Sequence, residues 1–442
     1  MPALLWFRRD LRVRDHPALL AAADSDQVLA CFVLDPRLER SSGQRRLQFL
    51  GDALRALRDD LDGRLLVVRG RPEHQIPLLA REIGAPAVHI SEDFAPYGKR
   101  RDEKVSAALG SVPLVATGSP YLVSPGRVTK PDGAPYKVFT PFLRQWRAAG
   151  WRTPAKSDAA SARWIDPADV PIQACAIPDP GSRLDIAAGT AHEQWKSFVG
   201  KGLKTYDTDR NRPGIAGTSR MSAHLKSGTI HPRSMVVDLD PRERGAQAYL
   251  RELAFRDFYA DVLHHWPRSA WRNWNSNFDD IETDTGAEAQ RRFEAWQAGQ
   301  TGFPIVDAGM RQLRQIGFMP NRVRMIVASF LVKDLHLPWQ WGAAWFLDQL
   351  VDGDMANNQH GWQWCAGSGT DAAPYFRVFN PTTQGVKFDP DGDYIRQWVP
   401  ELRDAVDAHV RTGDRPPGYP APIVDHGAER REALHRYQVL SS

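Results

Sequence analysis

Short apolar runs at 3–7, 28–34, 65–68, 87–90 and 113–116 alternate with amphipathic stretches such as 43–61 and 73–83. Runs of this kind, bounded by turn residues, predict buried strands, and the stretches between them predict helices. Strand and helix alternating at this spacing imply right-handed crossovers and a parallel sheet covered on both faces. No G-x-G-x-x-G follows any of the runs, which argues against a dinucleotide bound in the ordinary Rossmann manner.

Between 125 and 191 Pro, Gly, Ser and Asp crowd in, as in "SPGRVTKPDGAPY" and "IPDPGSRLD". This texture predicts a long connection with a short helix near 141–149. Beyond it, helical periodicity dominates "QAYLRELAFRDFYADVLHHW", "FPIVDAGMRQLRQIG" and "NRVRMIVASFLVKDL". The pattern therefore predicts three parts: a Rossmann-like α/β domain over residues 1–125, a linker over 126–191 and an all-α domain over 192–442. A length of 442 residues agrees with two or three domains.

Composition mostly excludes. Hydrophobic content of 42% and charged content of 25% rule out a disordered or fibrous chain. The net charge is only +4, so a nucleic-acid partner would have to meet a local basic patch. Cys31, Cys175 and Cys365 are far apart and odd in number, which argues against a disulfide framework or a cysteine metal site, and no metal is expected. Arg8, Arg9 and Asp10 interrupt any signal-type run, and no stretch reaches the roughly eighteen apolar residues of a membrane helix. The expectation is a soluble cytoplasmic monomer with no obligatory protein partner. Tryptophan is the unusual entry in the composition: ten of fifteen lie at or beyond Trp266, and only Trp6 falls in the first 125 residues.

Four segments could carry chemistry. In "AGTSRMSAHLKSG", Gly217, Thr218, Ser219, Arg220 and Ser222 stand where a helix would begin, and hydroxyls, a guanidinium and free N–H groups there suit phosphate oxygens. An ordinary helix cap with a solvated arginine fits the same residues. In "ELAFRDFY", Glu252, Arg256 and Tyr259 share a helix side at i, i+4 and i+3 spacing with Phe255 beside them; a carboxylate near an arginine is most often a structural ion pair. "GFMPNRVRM" sets Pro320 at a helix start, followed by Asn321, Arg322, Arg324 and Met325, which a solvated basic face would also explain. The densest segment is "LVDGDMANNQHGWQWCAGSGTDAAPYFRVFNP". Its Asp352-Gly353-Asp354 suggests calcium, but Ala356 and Gln363 occupy positions where an EF-hand needs oxygen ligands. Amides followed by Trp362 and Trp364 instead describe a planar aromatic ligand, bonded at its edge and packed beside indoles.

Taken together, "LLWFRRDLRVRDHPAL", "TSRMSAHLKSGTIHPR", "ELAFRDFY", "GQTGFPIVDAGMRQLRQIGFMPNRVRMIVASFLVKDL" and "DGDMANNQHGWQWCAGSGTDAAPYFRVFNPTTQGVKFD" resemble the cryptochrome/photolyase family, in its bacterial class I cyclobutane pyrimidine dimer branch. The resemblance spans nearly the whole chain. It implies an α/β domain, a linker and a helical domain holding bent FAD, with reduced FAD passing an electron to a flipped-out dimer in DNA after light absorption and recovering it after ring splitting. By the same resemblance Tyr206, Thr218, Ser219, Arg220, Met221 and Ser222 would contact the FAD phosphates and ribityl chain. Arg324 with Asp352, Gly353, and Asp354 with Asn358 would sit at the isoalloxazine, and Trp362 and Trp339 would be the first two members of an electron relay. Glu252, Phe255, Asn321, Met325 and Trp364 would line the lesion pocket, with Arg210, Arg256, Tyr259, Arg322 and Arg377 on the DNA side. Flipping the lesion costs a few kcal/mol, and stacking recovers about 1–3 kcal/mol per base, so one or two rings suffice. About three phosphate contacts would give a salt slope near −2.7.

This chain departs from the family pattern in three places. Phe255 replaces a common tryptophan and offers a smaller stacking surface. Gly286 occupies the position of the usual outermost relay tryptophan, so either another residue, such as Trp296, ends the relay or photoreduction is slow. Tyr97-Gly98 replaces the Asn-Glu pair of folate-antenna members, which points to a deazaflavin or flavin as second chromophore. The rival within the family is a blue-light signalling cryptochrome without repair activity; Asn358 and the short stretch after Leu402 favour repair. A 6-4 photoproduct enzyme would be expected to carry histidine at Asn321 or Met325. A nucleotide-binding module would leave the helical half unexplained, and a flavin electron-transfer protein would not need Trp364, Arg210 and Arg377 around one pocket.

Overall fold

The computed structural model describes residues 1–179, 181, 191–374, 377–410 and 415–440. Five strands, β1 Ala3–Phe7, β2 Val28–Leu34, β3 Leu65–Arg69, β4 Val88–Ile90 and β5 Leu114–Ala116, form one parallel sheet in the order β3-β2-β1-β4-β5. Alternate side chains of β1 feed two cores: Ala3, Leu5 and Phe7 on one face, Leu4 and Trp6 on the other. Crossover helices α1 Pro17–Ala23, α2 Pro36–Ser41, α3 Gln44–Asp60, α4 Pro72–Glu82 and α5 Pro96–Leu109 cover the faces. Proline opens α1, α2, α4 and α5, where its missing N–H costs nothing and its fixed φ suits the first turn.

The order of strands reverses between β1 and β4, the place where an open α/β sheet ordinarily receives a ligand. Here the protein's own side chains fill it. Arg8 bonds Asp102 at 2.7 Å and the carbonyl of Ser91; Arg101 bonds Asp102 at 2.8 Å and Asp93 at 3.3 Å. Both guanidinium groups lie over the Trp6 ring, 4.8 and 5.0 Å from its centroid.

The predicted linker divides its loyalties. Its helix α6, Phe139–Ala149, packs on the helical body, where Trp146 Nε1 donates to Asp257 at 3.0 Å. Residues 155–178 lie on the sheet domain instead: Ile165 N bonds the carbonyl of Val28, and Cys175 N bonds that of Val67 on the β3 edge.

The helical part comprises α7 Ala191–Lys201, α8 Tyr206–Asp209, α9 Ser222–Ser227, α10 Pro232–Val236, α11 Arg244–His265, α12 Gly286–Ala298, α13 Pro304–Ile316, α14 Asn321–Lys333, α15 Trp339–Gln349, α16 Met355–Ala366, α17 Pro381–Phe388, α18 Asp393–Trp398 and α19 His426–Val439. Among the described residues, no strand occurs after Ala116. A core of α13 to α16, with Val306, Met310, Val327, Phe330 and Phe346 at its centre, makes a scaffold on which α11 and α16 are held. The two parts meet closely. Arg12 bonds the carbonyl of Gly228 at 3.0 Å, Arg233 pairs with Asp15 at 2.8 Å, and a Cβ on Gly228 would stand 1.9 Å from the carbonyl oxygen of Arg9, so only glycine fits.

Candidate functional site

Residues 206–226 wrap the start of α9. Tyr206 packs against Tyr249 with centroids 5.1 Å apart, and the Tyr249 hydroxyl lies 2.9 Å from Ser219 Oγ. Gln194 Nε2 donates to the Ser219 carbonyl at 2.7 Å, so the loop is fixed from two helices. Arg220 adopts φ +54, a left-handed backbone that an arginine enters at a cost, and its guanidinium rests over the Phe318 ring at 5.2 Å with no ion-pair partner among the described residues. Met221 is the N-cap of α9 and no side chain caps the helix, so the expected hydroxyl cap does not form. Thr218 and Ser222 stay beside Arg220, while the Ser219 hydroxyl is taken up by Tyr249 and by Met221 N. This donor set fits the phosphates of a dinucleotide.

Arg324, on α14, bonds both oxygens of Asp352 at 2.9 and 3.1 Å and the carbonyl of Met319 at 2.8 Å. Its guanidinium also approaches Phe318, at 5.9 Å from the ring that Arg220 covers. Asn358, half-buried on α16, donates to the carbonyl of Ala343 at 3.0 Å and to Gln359 at 2.7 Å. Trp362, one turn further, is buried, with Phe346 at 5.0 Å and Trp296 at 6.0 Å in edge-on contact. Its ring lies on the bare backbone of Gly342, where a Cβ would be 2.1 Å from Trp362 Cη2. Trp339, three residues before Gly342 on α15, shares that side of the helix and donates its indole N–H to Asn273 at 2.9 Å.

On the open side of α11, Glu252 binds Arg210 at 2.5 Å, and Arg210 covers Tyr206. Arg322 is held by Asn211 Oδ1 at 2.9 Å and stacks on Phe388 at 4.3 Å; burial and the nearby Arg210 lower its pKa from the ordinary arginine value. Asn321 is exposed beside Met325, and Trp364 is half-buried against the core of α13 to α16. Phe255 is half-buried and stacked on Phe139, centroids 3.5 Å apart and rings nearly parallel, with Arg251 and Tyr259 also 5.7 and 6.0 Å from its ring. Arg377 is exposed, with its carbonyl bonded by Lys333 at the end of α14, and Tyr375 lies outside the described residues.

Several assignments change. Arg256 does not pair with Glu252. It bonds the carbonyls of Pro120 and Leu225 at 2.9 and 3.1 Å and covers Tyr121, so it clamps the chain between the two parts. Tyr259 is half-buried, stacked on His360 at 5.4 Å with Phe255 6.0 Å away. The Asp354 carboxylate caps α16 through Asn357 N and pairs with Arg9 at 3.0 Å and Lys226 at 4.0 Å; it faces the sheet domain and does not stand with Asn358. Burial opposes its ionisation, but Arg9 and Lys226 outweigh that and hold the carboxyl well below the usual carboxylate range. Gly353 likewise makes room for Arg46, whose Nη1 a Cβ would approach to 2.5 Å. Trp296 is wholly buried and cannot end a relay at solvent. Tyr249, Phe318, Asn211 and Gly342 were missed. Only Tyr249, three residues before Glu252 on the same helix, had a spacing signal.

A family profile described as DNA photolyase matches residues 3–160, and one described as the FAD binding domain of DNA photolyase matches residues 249–439. A deoxyribodipyrimidine photo-lyase from Synechococcus is 36% identical, over all of this chain and 97% of its own. The crystal structure of a bacterial class III photolyase from Agrobacterium tumefaciens superposes with a TM-score of 0.90 at 34% identity, covering 100% of this chain and 98% of that one. A cryptochrome from Synechocystis gives a TM-score of 0.89 at 27% identity, covering 98% of each chain.

Proposed function

This chain belongs to the DNA photolyase family, and on that premise we propose that it splits cyclobutane pyrimidine dimers in DNA with blue light, as a deoxyribodipyrimidine photo-lyase. One observation supports the reading: Trp362 is buried on α16, while Glu252 pairs with Arg210, Arg322 is held by Asn211, Asn321 is exposed and Trp364 is half-buried. Reduced FAD, when bound, supplies the light-driven electron. Tyr206 and the run Thr218 to Ser222 would hold its phosphates and ribityl chain, and Arg324, Asp352 and Asn358 its ring system. Trp362 and Trp339 would carry electrons inward to renew the reduced form.

The chain's own part in repair is positioning. Arg322 and Arg377 attract phosphate, and Trp364 with Phe255 takes the extruded bases. Glu252, fixed by Arg210, presents carboxylate oxygens that accept from base N–H groups. Buried cationic groups collect at the junction between the parts. Arg9 Nε and Arg46 Nη1 are buried without a hydrogen-bond partner, and burial together with Arg9 pushes the Lys226 ammonium down to about 8. Tyr97-Gly98, in place of the Asn-Glu pair of folate-antenna members, favours a deazaflavin or flavin over a folate as second chromophore; mass spectrometry of released pigment tests this.

The deciding experiment mixes reduced, illuminated protein with dimer-containing oligonucleotide and follows recovery of thymine absorbance. Light-dependent recovery is expected, with a large loss in Trp364→Ala. No recovery with FAD bound rejects repair and promotes the signalling cryptochrome.

A further inference from the structure

We propose that Lys333, at the end of α14, is a positioning residue for DNA: by holding the carbonyl of Arg377 it fixes the backbone from which the exposed Arg377 side chain reaches a phosphate. The inference rests on the reading of Arg377 as a DNA contact.

Lys333 is 1% exposed, one of the largest fully buried side chains of the protein. An ammonium taken out of water is costly unless it is well paired, and a methionine would fill the same space with no charge to satisfy, so the worth of the ammonium lies in what it touches. It donates to the Arg377 carbonyl at 2.9 Å, and Nζ lies 5.4 Å from the centroid of the Tyr437 ring on α19. It is also the last residue of α14, where the carbonyl end of a helix favours a cation. Tyr437 and the helix end belong to the body. The Arg377 carbonyl belongs to a segment whose side chain faces solvent.

The same side of α14 grips that segment a second time. Ser329, four residues before Lys333, accepts from Phe379 N at 3.4 Å. Arg377 N bonds the carbonyl of Pro374 at 2.9 Å, and Asn380 caps α17 by accepting from Thr383 N at 3.0 Å. The backbone is thus tied on both sides of Arg377 while its guanidinium is left to solvent. The other end of α14 begins with Asn321 and Arg322, about 16 Å from Lys333 along the helix. One rigid helix therefore carries one cation of the DNA side and fixes the other, which spares the ordering cost that a loose segment would meet on binding.

Burial pushes the Lys333 ammonium down to about 8, although Cys365 on α16 and the neighbouring Asp334 oppose the shift; Arg377 adds to it. Burial raises Cys365, Asp334 and Tyr437 as well, and the Cys365 thiol and Tyr437 hydroxyl stay protonated at pH 9. Above about 8 the lysine is neutral and its bond to Arg377 is no longer assisted by charge, so the grip slackens as pH rises.

Fluorescence anisotropy of the FAD-loaded protein with dimer-containing oligonucleotide, in the dark from pH 7 to 9, tests this. The unmodified protein should bind about fivefold more weakly at pH 9, the size of one lost hydrogen bond, with a midpoint near 8. Lys333→Met should be weak at both pH values and lose the step. Combined with Arg377→Ala it should bind no more weakly than Arg377→Ala alone, since both changes act through one side chain. Additive losses, as from a lysine that only supports the fold, or a step that persists in Lys333→Met, overturn the inference. Should Lys333→Met not fold, Arg377→Ala decides: the step should vanish with the guanidinium, and its persistence overturns the inference. An Arg377→Ala protein that binds at pH 7 as tightly as the unmodified one would instead reject the reading of Arg377 as a DNA contact.

Discussion

Replacing Gly342 by alanine should both destabilise the helical part and slow photoreduction. A Cβ at that position would meet Trp362 Cη2, Cζ3 and Cζ2 at 2.1, 2.5 and 2.7 Å, well inside ordinary carbon contact. The indole cannot swing clear, because Phe346 and Trp296 stand 5.0 and 6.0 Å from it and the ring is 2% exposed. Overpacking of a rigid core group costs about 3 kcal/mol, against about 1 kcal/mol recovered from replacing a helical glycine, so a net loss of about 2 kcal/mol is expected. Gly200→Ala is the control, since a Cβ on that helical glycine meets nothing within 4 Å and should stabilise by about 0.5–1 kcal/mol. Thermal denaturation gives the stability ordering, and flavin bleaching under blue light gives the photoreduction rate. If Gly342→Ala proves as stable as Gly200→Ala and bleaches at the unmodified rate, the assignment of Trp362 to a fixed slot against α15 is wrong.

Burial raises the Asp257 carboxyl to about 6, so the fold favours its protonated form. Its stabilising contribution is complete below the ordinary value of 3.8 and is lost as pH rises through 6; two units correspond to about 3 kcal/mol as an upper bound. Denaturant midpoints between pH 4 and 7 should therefore fall less steeply in Asp257→Asn, and parallel curves would count against the effect. Arg322→Ala should weaken DNA of any sequence and reduce the salt slope of binding by about 0.9, as measured by fluorescence anisotropy; an unchanged slope removes Arg322 from the phosphate contacts. Phe255→Trp should tighten binding to dimer-containing oligonucleotide through its larger stacking surface, and equal affinity would show that this ring does not stack on the lesion.

The element pattern was legible in the chain because burial alternation and proline-opened helices are local signals. The strand ends move by a residue at most, as with the run 113–116 that becomes Leu114–Ala116, and the helix foreseen near 141–149 is Phe139–Ala149. Partners of charged groups were not legible. Glu252 and Arg256 sit at i, i+4 spacing, yet Glu252 turns to Arg210, 42 residues earlier, because the Arg256 guanidinium is taken by the carbonyls of Pro120 and Leu225. Asp354 looked like a companion of Asn358 and proves to be the anchor of Arg9, across the junction.

By itself, then, the sequence determined which residues are strands, which are helices and which segments carry the family's motifs, since each is written in spacing along a few turns of chain. Only the tertiary structure decided which parts of each motif are open, which is why Phe255 stacks on Phe139, Trp296 is wholly buried, and Gly342 must lack a side chain. Exposure and pairing depend on groups far apart in the chain, and a cation buried beside several carbonyls and carboxylates settles on the set that best replaces its lost water.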